Sequence, residues 1–493
     1  MRNILILLLL ISTTELLYSQ TNSISLKDGS GVLINQYSSI QEAYNAIPST
    51  ITHPYTIEIN SSYNGSSEVF PITFNARIGT SGTNKIVMRP APGNSGELIS
   101  ANSPGNPLLI LDNIDYMTID GRPGGTGPDT ANLTIENTAT DSINAGVIVL
   151  RSGAANNNIQ YIKSIAHSDT AVYNICVGGI PSTTNNNSNV ITGCNVIGGE
   201  TGIYLRGFDG VPSSNNSISK CKVYDFAING IKQFSSLSNT TIEKNEIFHT
   251  GPVSHSIAIV GINISYQPSG TNYYRKNKIY DLQSSSTAVG LTVKGILLTG
   301  NVGFLTDLQI SNNFISLAKD NNDVITTIGI ELNGSEIANL YVYYNSVFIG
   351  GTQSTILGVN AACIKNNTTN NIDLDVRNNL FYMGRQGFAI MAAGWYPTLS
   401  SFSSVNRNDY HNTSAGGSNS IWQTTQYTNL AMYRPAAIPN EQLSYFDEIF
   451  FVSNTNLHLT GSSIGNNNIR GSAISGITDD IDGDIRSGSS PYF

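Results

Sequence analysis

Asparagine recurs at one position of a repeat of roughly 30 residues along most of this chain. One variable residue usually follows it, and then a short apolar run. The asparagine copies begin at Asn245, Asn277, Asn313, Asn345, Asn379 and Asn408, and earlier copies place Lys163, Cys194 and Cys221 in the same slot. A repeat of this period means that one structural unit is stacked many times, which constrains the architecture strongly but names no reaction.

A second repeat, glycine followed by a large apolar residue, runs in phase with the first. It occurs at Gly146, Gly202, Gly230, Gly261, Gly295, Gly329, Gly358 and Gly387. Each unit therefore contains two short strands rich in Ile, Val, Tyr and Thr, with no amphipathic helix between them. This pattern predicts an all-β fold, a right-handed parallel β-helix, with a short N-terminal capping helix.

The asparagine slot has a physical explanation in such a fold. Asparagine tolerates the left-handed backbone of a bend, and its amide can hydrogen-bond to an identical amide in the next coil, about 4.8 Å away. We therefore expect Asn245, Asn277, Asn313, Asn345 and Asn379 to form one internal line.

Composition narrows the possible partners. Only 12% of the 493 residues are charged, the net charge is −9, and 40% are hydrophobic. No basic patch stands out in the sequence, so nucleic acid is not an expected partner. The continuous repeat favours one long solenoid with end pieces, and we expect a monomer.

The first residues predict export. Arg2 precedes an apolar run from Ile4 to Ile11, which is of secretory length and too short to span a membrane. We expect a signal peptide over residues 1–19 and a secreted or cell-surface protein. No later run approaches 18 apolar residues, so no membrane span is expected in the mature chain.

The four cysteines allow one disulfide hypothesis. Cys194 and Cys221 occupy the same slot in neighbouring coils, so their Cα atoms should lie within bonding range. Export permits a disulfide there. The preferred alternative is two buried thiols in place of asparagine. No cysteine or histidine spacing indicates a metal site.

Both ends of the chain predict caps. Ser39 to Glu42 form a capping box, and Ile40, Tyr44 and Ile47 follow helical spacing, so a helix should cover the first coil. We divide the remaining chain into a cap with first coils (20–105), repeats (106–412), and an insertion with a closing segment (413–493). In the last part, 412–444 is expected to be a loop or insertion, and 449–452 and 456–459 late strands.

An acidic run near the C-terminus raises the question of calcium. Asp480, Asp482, Gly483 and Asp484 resemble the start of a calcium loop, but the glycine is at the wrong position for an EF-hand. A turn rich in Asp and Gly is the better interpretation. No cofactor is expected, and calcium remains a weak alternative.

Several segments together resemble a known group of proteins. These are residues 39–43, 119–127 (Ile-Asp-Gly-Arg-Pro-Gly-Gly-Thr-Gly), 133–137 (Leu-Thr-Ile-Glu-Asn) and 479–486. The chain is similar over most of 30–493 to secreted Bacteroidetes-type right-handed parallel β-helix proteins of the pectate-lyase-like superfamily. The resemblance implies this fold and export. The superfamily contains lyases, hydrolases, esterases and adhesins, so it implies no single activity.

Two neighbouring positions of the repeat supply the candidate site. Four residues after the slot lie Asp225, His249 and Asp281, which should form a column on successive coils. One residue earlier lie Tyr224, Phe248 and Tyr280. A carboxylate–imidazole–carboxylate column could act as general acid and base or orient a sugar, and outward rings beside it would form a sugar platform. The alternative for the charged column is a solvated turn, and the alternative for the rings is buried stacking. In both cases the sequence favours the alternative over a binding site. The catalytic residues are unknown.

The glycine strand provides a competing face. It carries basic residues and one acid but no stacked pair of carboxylates, which disfavours a calcium-dependent lyase. These residues are Arg151, Arg206, Lys232, Lys294 and Glu331.

Three functions follow from these patterns. The first is a non-catalytic module for carbohydrate binding or for adhesion and display, whose partner is a polysaccharide or cell-surface glycan. The second is a polysaccharide-active hydrolase or lyase, and the third is a structural spacer. The low charge and the lack of clustered acids favour the first.

Overall fold

The structure is a computed structural model that describes residues 22–179, 184–208, 212–253, 258–265, 268–286, 290–300, 306–318, 325–333, 339–351, 360–368, 373–385, 390–397, 402–414 and 416–493. The predicted signal peptide and the repeat positions Gly358 and Gly387 lie outside the described residues. No helix in the described ranges is long and apolar enough to cross a membrane.

Short strands dominate from the N-terminus onward, as the β-branched composition predicts. The first group is β1 (Ile24–Asp28), β2 (Leu33–Tyr37), β3 (Tyr55–Ile59), β4 (Ile72–Asn75), β5 (Ile86–Pro90), β6 (Glu97–Ala101), β7 (Leu109–Asp112), β8 (Met117–Asp120), β9 (Leu133–Asn137), β10 (Ile148–Arg151), β11 (Asn158–Gln160), β12 (Ile162–Ala166) and β13 (Ile175–Val177).

The middle of the chain continues the same pattern. Its strands are β14 (Val190–Thr192), β15 (Asn195–Gly198), β16 (Thr201–Arg206), β17 (Ser213–Ser214), β18 (Ser217–Ser219), β19 (Lys222–Tyr224), β20 (Asn229–Phe234), β21 (Leu237–Ser238), β22 (Thr241–Glu243), β23 (Glu246–Phe248), β24 (Ile259–Ser265), β25 (Pro268–Arg275), β26 (Lys278–Tyr280) and β27 (Thr292–Thr299).

The last strands lead into the C-terminal part. They are β28 (Thr306–Ser311), β29 (Phe314–Leu317), β30 (Thr326–Leu332), β31 (Asn339–Tyr343), β32 (Ser346–Ile349), β33 (Asn360–Asn366), β34 (Asp373–Arg377), β35 (Leu380–Met383), β36 (Ile390–Tyr396), β37 (Phe402–Asn406), β38 (Asp409–Asn412), β39 (Ser418–Trp422) and β40 (Thr425–Tyr427). The helices are α1 (Ile40–Asn45), α2 (Leu430–Ala436) and the 3-10 turns Pro123–Gly125, Gly461–Ser463 and Asn467–Ile469.

These strands form three long sheets, which are the sides of a parallel β-helix. The first sheet has the order β2-β1-β3-β5-β8-β11-β14-β18-β22-β25-β28-β31-β34-β37, the second β4-β7-β10-β13-β16-β20-β24-β27-β30-β33-β36-β39-β40, and the third β38-β35-β32-β29-β26-β23-β19-β15-β12-β9-β6. Successive coils pair in parallel, as in β19–β23–β26. Antiparallel pairs β1–β2, β1–β3 and β39–β40 lie at the two ends. The predicted all-β parallel β-helix is confirmed.

The asparagine slot forms an internal ladder, as predicted. Each backbone N–H donates to the side-chain oxygen one coil further on, at 3.1 Å from Asn245 to Asn277 and 2.9 Å from Asn277 to Asn313. The line continues through Asn345 and Asn379, and all five side chains are fully buried. The ladder therefore provides hydrogen-bond partners for backbone N–H groups at a corner that is closed to water.

A second asparagine ladder lies at another corner, and the sequence reasoning missed it. Asn157 donates its N–H to Asn189 at 3.1 Å, and Asn189 donates to Asn216 at 2.9 Å.

The glycine repeat marks a close approach between sheets. A Cβ on Gly295 would lie 2.4 Å from the Ile315 side chain, so any larger residue would clash.

The N-terminal cap has the predicted form. Ser39 accepts a hydrogen bond from the N–H of Glu42 at 3.1 Å and starts α1. The helix buries Ile40 and Tyr44, while Ile47 packs in the same core just beyond its end. The open apolar end of the solenoid is thereby covered.

The C-terminal part differs from the expectation. Residues 412–444, which we expected to be a loop or insertion, contain regular elements and so are not a loop: they hold β39, β40 and α2, whose Tyr433 is buried against Trp422. This segment closes the far end of the core. The predicted late strands 449–452 and 456–459 are also wrong, since only one isolated antiparallel bridge joins Phe451 to Leu459.

Residues 445–493, the C-terminal tail, fold back along the outside of the third sheet. Tyr344 donates to the carbonyl of Ser472 at 2.7 Å, and Lys276 pairs with Asp479 at 2.5 Å. The tail therefore covers part of the outer surface that the repeat alone would leave open.

All four cysteines are free and buried. Cys194 and Cys221 each direct the sulfur towards a backbone carbonyl, at 3.5 Å from Ile159 and 3.7 Å from Ile191. Of the two alternatives from the sequence, the structure has the buried thiols. Burial and the neighbouring Cys194 thiol raise the pKa of Cys221.

Candidate functional site

The predicted aromatic residues meet on the outer face of the third sheet. Strands β19, β23 and β26 pair in register, so that Tyr224 lies beside Phe248 and Phe248 beside Tyr280. Val223 and Ile247, one residue earlier, are buried in the core. Because side chains alternate along a strand, the three rings point outward.

The three rings form a regular stack, which we call the aromatic platform (Tyr224, Phe248, Tyr280). Ring centroids are 5.0 Å apart in both pairs, with interplanar angles of 9° and 3°. All three side chains are half-buried. The buried stacking that the sequence favoured is not found, since the β-branched neighbours occupy the inner face instead.

The C-terminal tail sets the limit of the platform. In the next coil the same column holds Ser316, whose hydroxyl donates to the carbonyl of Asn454 in the tail. Further on, the ring centroid of Phe451 in the tail lies 6.3 Å from that of Phe348 and 6.2 Å from that of Tyr382. The open stack therefore ends at Tyr280.

The predicted acid–base column is in register, but its side chains diverge. Asp225 and Asp281 adopt left-handed backbones with φ of 55° and 54°, while His249 does not. Asp225 accepts hydrogen bonds from the N–H and the hydroxyl of Thr250, both at 2.7 Å. The two aspartates stay half-buried at the rim of the platform.

His249 turns into the protein. Its side chain is 2% exposed and lies edge-on to Phe226, with ring centroids 4.6 Å apart. Nδ1 is 3.2 Å from the backbone of Gln283. Burial lowers the imidazole pKa to about 4, so the ring is neutral at pH 7. It cannot reach a ligand on the platform without rearrangement.

Beside the platform lies a charged row that the sequence reasoning missed. Lys222, Glu246 and Lys278 occupy the outward positions two residues before the rings. Lys222 and Glu246 pair at 3.7 Å, and the hydroxyl of Tyr280 donates to Glu246 at 3.3 Å. The period of two, counted back from each ring, was the signal that could have identified them.

The competing face on the second sheet holds a row of aromatic, basic and amide side chains. Tyr204, Lys232 and Asn263 are in register there, and Lys232 lies 5.3 Å from the Tyr204 ring centroid. Burial lowers the pKa of Lys232. Arg151 pairs with Asp112 at 2.8 Å. Arg206 lies over the Phe234 ring at 5.7 Å.

Further along the same face the charged side chains are paired and enclosed. Lys294 and Glu331 form a 2.5 Å ion pair with little exposure on either side. Lys365 lies 4.0 Å from the Trp395 ring centroid, and burial lowers its pKa. This face has basic groups with altered titration, which is a feature of functional sites as well as of structural ion pairs.

The described residues offer no cluster of three or more His, Cys, Asp or Glu side chains suited to a metal ion. The acidic run near the C-terminus is a turn. One carboxylate oxygen of Asp480 accepts from the N–H groups of Asp482, Gly483 and Asp484 at 2.9–3.0 Å.

No protein-family model matches the sequence, and no curated protein matches it significantly. Solved structures with some likeness include XylC with xylose (11% identity, TM-score 0.33, covering 70% of this chain and 55% of that one). Others are the pectate lyase Pel9A (12%, 0.34, 83% and 86%) and PfbA, a surface adhesin of Streptococcus pneumoniae (12%, 0.31, 71% and 87%). At these values the likenesses carry no argument about activity.

Proposed function

We propose that this chain is an exported, non-catalytic β-helix that binds a polysaccharide or cell-surface glycan on the aromatic platform. One observation carries the proposal: three parallel rings at 5.0 Å spacing lie half-exposed on the outer face of three successive coils. A flat aromatic surface suits the C–H faces of sugar rings, and polar groups at its edge can bind the hydroxyls.

The rim of the platform supplies those polar groups. Glu246 and Lys222 flank the rings on one side, and Asp225 and Asp281 on the other. A sugar on the rings would thus meet a donor and an acceptor along the edge of Lys222 and Glu246, and acceptors along the edge of the two aspartates. Such edges fix the orientation of a ligand, while the rings provide contact area.

The placement of the polar groups supports a non-catalytic role for the platform. General acid–base chemistry needs a titrating group within hydrogen-bond reach of the substrate. His249 is buried and neutral, and Asp225 is engaged with Thr250. The column that motivated the hydrolase hypothesis therefore does not form an acid–base pair on the platform.

An enzyme remains the second candidate because of the second sheet. Two groups could act on a polysaccharide there. One is the enclosed Lys294–Glu331 ion pair, and the other is Lys365, which lies beside Trp395 and has a lowered pKa. If this face is catalytic, incubation with a polymer will shorten its chains, and Lys365→Met will abolish the shortening.

The platform is tested by measuring affinity across a panel of polysaccharides for wild type and for the double variant Tyr224→Ala/Tyr280→Ala. We expect at least a tenfold loss, since each lost ring contact is worth about 1 kcal/mol. Tyr273→Ala is the matched control, because Tyr273 is half-buried on the first sheet beside Arg275. Unchanged affinity in the double variant, with unchanged melting, would exclude the platform as the site.

A further inference from the structure

The corner between the first and third sheets is a continuous column of left-handed residues, which we call the corner column. Each member directly precedes the slot residue and has φ between 52° and 64°. In the coil of Tyr161 the slot residue is Ile162 and not Lys163 as predicted, because Lys163 pairs in register with Asn195, one residue after Cys194. The members are Tyr161, Gly193, Lys220, Lys244, Lys276, Asn312, Tyr344, Asn378 and Arg407. Asparagine and glycine suit such a backbone best, whereas lysine gains nothing from it.

One half of the corner column is occupied by the protein's own C-terminal tail. Asn378 donates to the carbonyl of Ser472 at 2.8 Å, and Asn312 donates to the carbonyl of Asp479 at 3.0 Å. Arg486 of the tail lies over the Tyr344 ring at 4.1 Å. An extended chain segment thus follows the column over successive coils.

At the end of this contact, aspartates of the tail pair with lysines of the coils. Asp479 pairs with Lys276 at 2.5 Å, and Lys276 is only 6% exposed. Asp482 lies 3.8 Å from Lys278 in the adjoining charged row. This part of the surface therefore already binds an acidic extended chain.

The same column continues beyond the tail with lysines that have no acidic partner. Lys244 and Lys220 occupy the next two coils, and both are exposed. Among the described residues neither forms an ion pair, whereas Lys222 beside them pairs with Glu246 at 3.7 Å and stays 55% exposed. Like charges about 4.8 Å apart in left-handed backbones cost stability, so the fold does not explain them.

A groove extends this surface in the direction away from the tail. It has a volume of about 520 Å³, and its lining includes Lys220, Lys222 and Tyr161 together with one acid, Asp129. The Arg122 guanidinium lies over the Tyr161 ring at 4.3 Å and supports its position. Two lysines and an aromatic ring thus line this groove, and Asp129 is its single acidic residue.

We infer that the open lysines of the corner column recognise acidic groups on the bound glycan, so that the ligand is an anionic polysaccharide carrying carboxylates or sulfates. The inference rests on the proposed function. Lys222 and Tyr224 are two residues apart on the same face of β19, about 7 Å along the strand, so one chain can contact both.

The test compares polymer pairs that differ in charge. Affinity is measured for polygalacturonate against its methyl ester and for dextran sulfate against dextran, at low and high salt. Wild type should bind the acidic member of at least one pair at least tenfold more tightly, and high salt should weaken that binding. The double variant Lys220→Gln/Lys244→Gln should lose about tenfold for the acidic polymer, while Lys85→Gln, an exposed lysine of the N-terminal coils, should lose nothing.

Each other result has a distinct meaning. Equal binding of charged and uncharged polymers, lost in Tyr224→Ala/Tyr280→Ala but kept in Lys220→Gln/Lys244→Gln, would overturn this inference and leave the proposed function intact. No binding to any polymer in a wider panel would overturn both. Polyglutamate binding as tightly as the acidic polymers would show that the lysines recognise an acidic peptide instead.

Discussion

The substitution Asn313→Ala should open the solenoid locally, because Asn313 lies in the middle of the buried ladder. Its side-chain oxygen accepts from the N–H of Asn277 at 2.9 Å and from the Asn277 amide at 3.0 Å. Its own amide donates to the carbonyl of Tyr274 at 2.9 Å and to Asn345 at 2.8 Å. Alanine removes all four hydrogen bonds at once.

The cost can be estimated from the groups left without partners. Three buried groups lose a bond and cannot reach water: the Asn277 N–H, one proton of the Asn277 amide, and the Tyr274 carbonyl. A buried unsatisfied group costs about 1–3 kcal/mol. Since the Asn277 amide keeps its bond to Ile242, the expected loss is about 3–6 kcal/mol.

Native-state amide hydrogen exchange is the appropriate assay, because solenoids open locally rather than as one unit. Peptides covering 273–281 and 310–317 should exchange faster in Asn313→Ala. Asn313→Cys should lie between alanine and wild type, since Cys194 and Cys221 hold the same slot with one weak donor. If Asn313→Ala exchanges no faster than the outward control Asn195→Ala, the ladder does not stabilise the fold in this way.

Two further predictions concern the ends of the solenoid. Tyr44→Asp places a charge at a fully buried position against Phe74, so it should lower the melting temperature and cause aggregation; a monomeric variant with unchanged melting would contradict this. Burial raises the pKa of Glu441 to about 7, and Tyr410 and Tyr433 donate to it at 2.6 and 3.0 Å. A raised folded-state pKa means that stability is lost as pH rises from about 4.5 to 7, by up to about 3 kcal/mol, and Glu441→Gln should flatten that dependence in thermal melts.

Sequence reasoning succeeded where the physical cause repeats along the chain. The slot of Asn245 and Asn277 recurs because every coil needs the same buried corner satisfied, so the period alone identified the ladder. The second ladder, through Asn157 and Asn189, escaped notice because asparagine is also frequent in the loops around it. The cap was found because Ser39 and Glu42 form a local motif.

The site was predicted in part because register and side-chain direction are separate properties. Counting residues placed Asp225, His249 and Asp281 correctly on successive coils. Direction depends on the sign of φ, which is positive at Asp225 and Asp281 but not at His249. The residue type at position 249 gave no signal of this difference, because histidine also adopts the left-handed conformation readily.

The tail could not be placed from sequence, because its contacts join residues far apart with no period to reveal them. Lys276 and Asp479 are 203 positions apart, and Arg486 and Asn312 are 174 apart. Without the tail, each lysine of the corner column is an isolated solvated charge on an acidic protein. With the tail in place, Lys276 shows what this corner binds, and Lys244 and Lys220 continue the same geometry without a partner. The specificity that we propose for this surface thus depends on both the repeat and the tail, and neither segment reveals it alone.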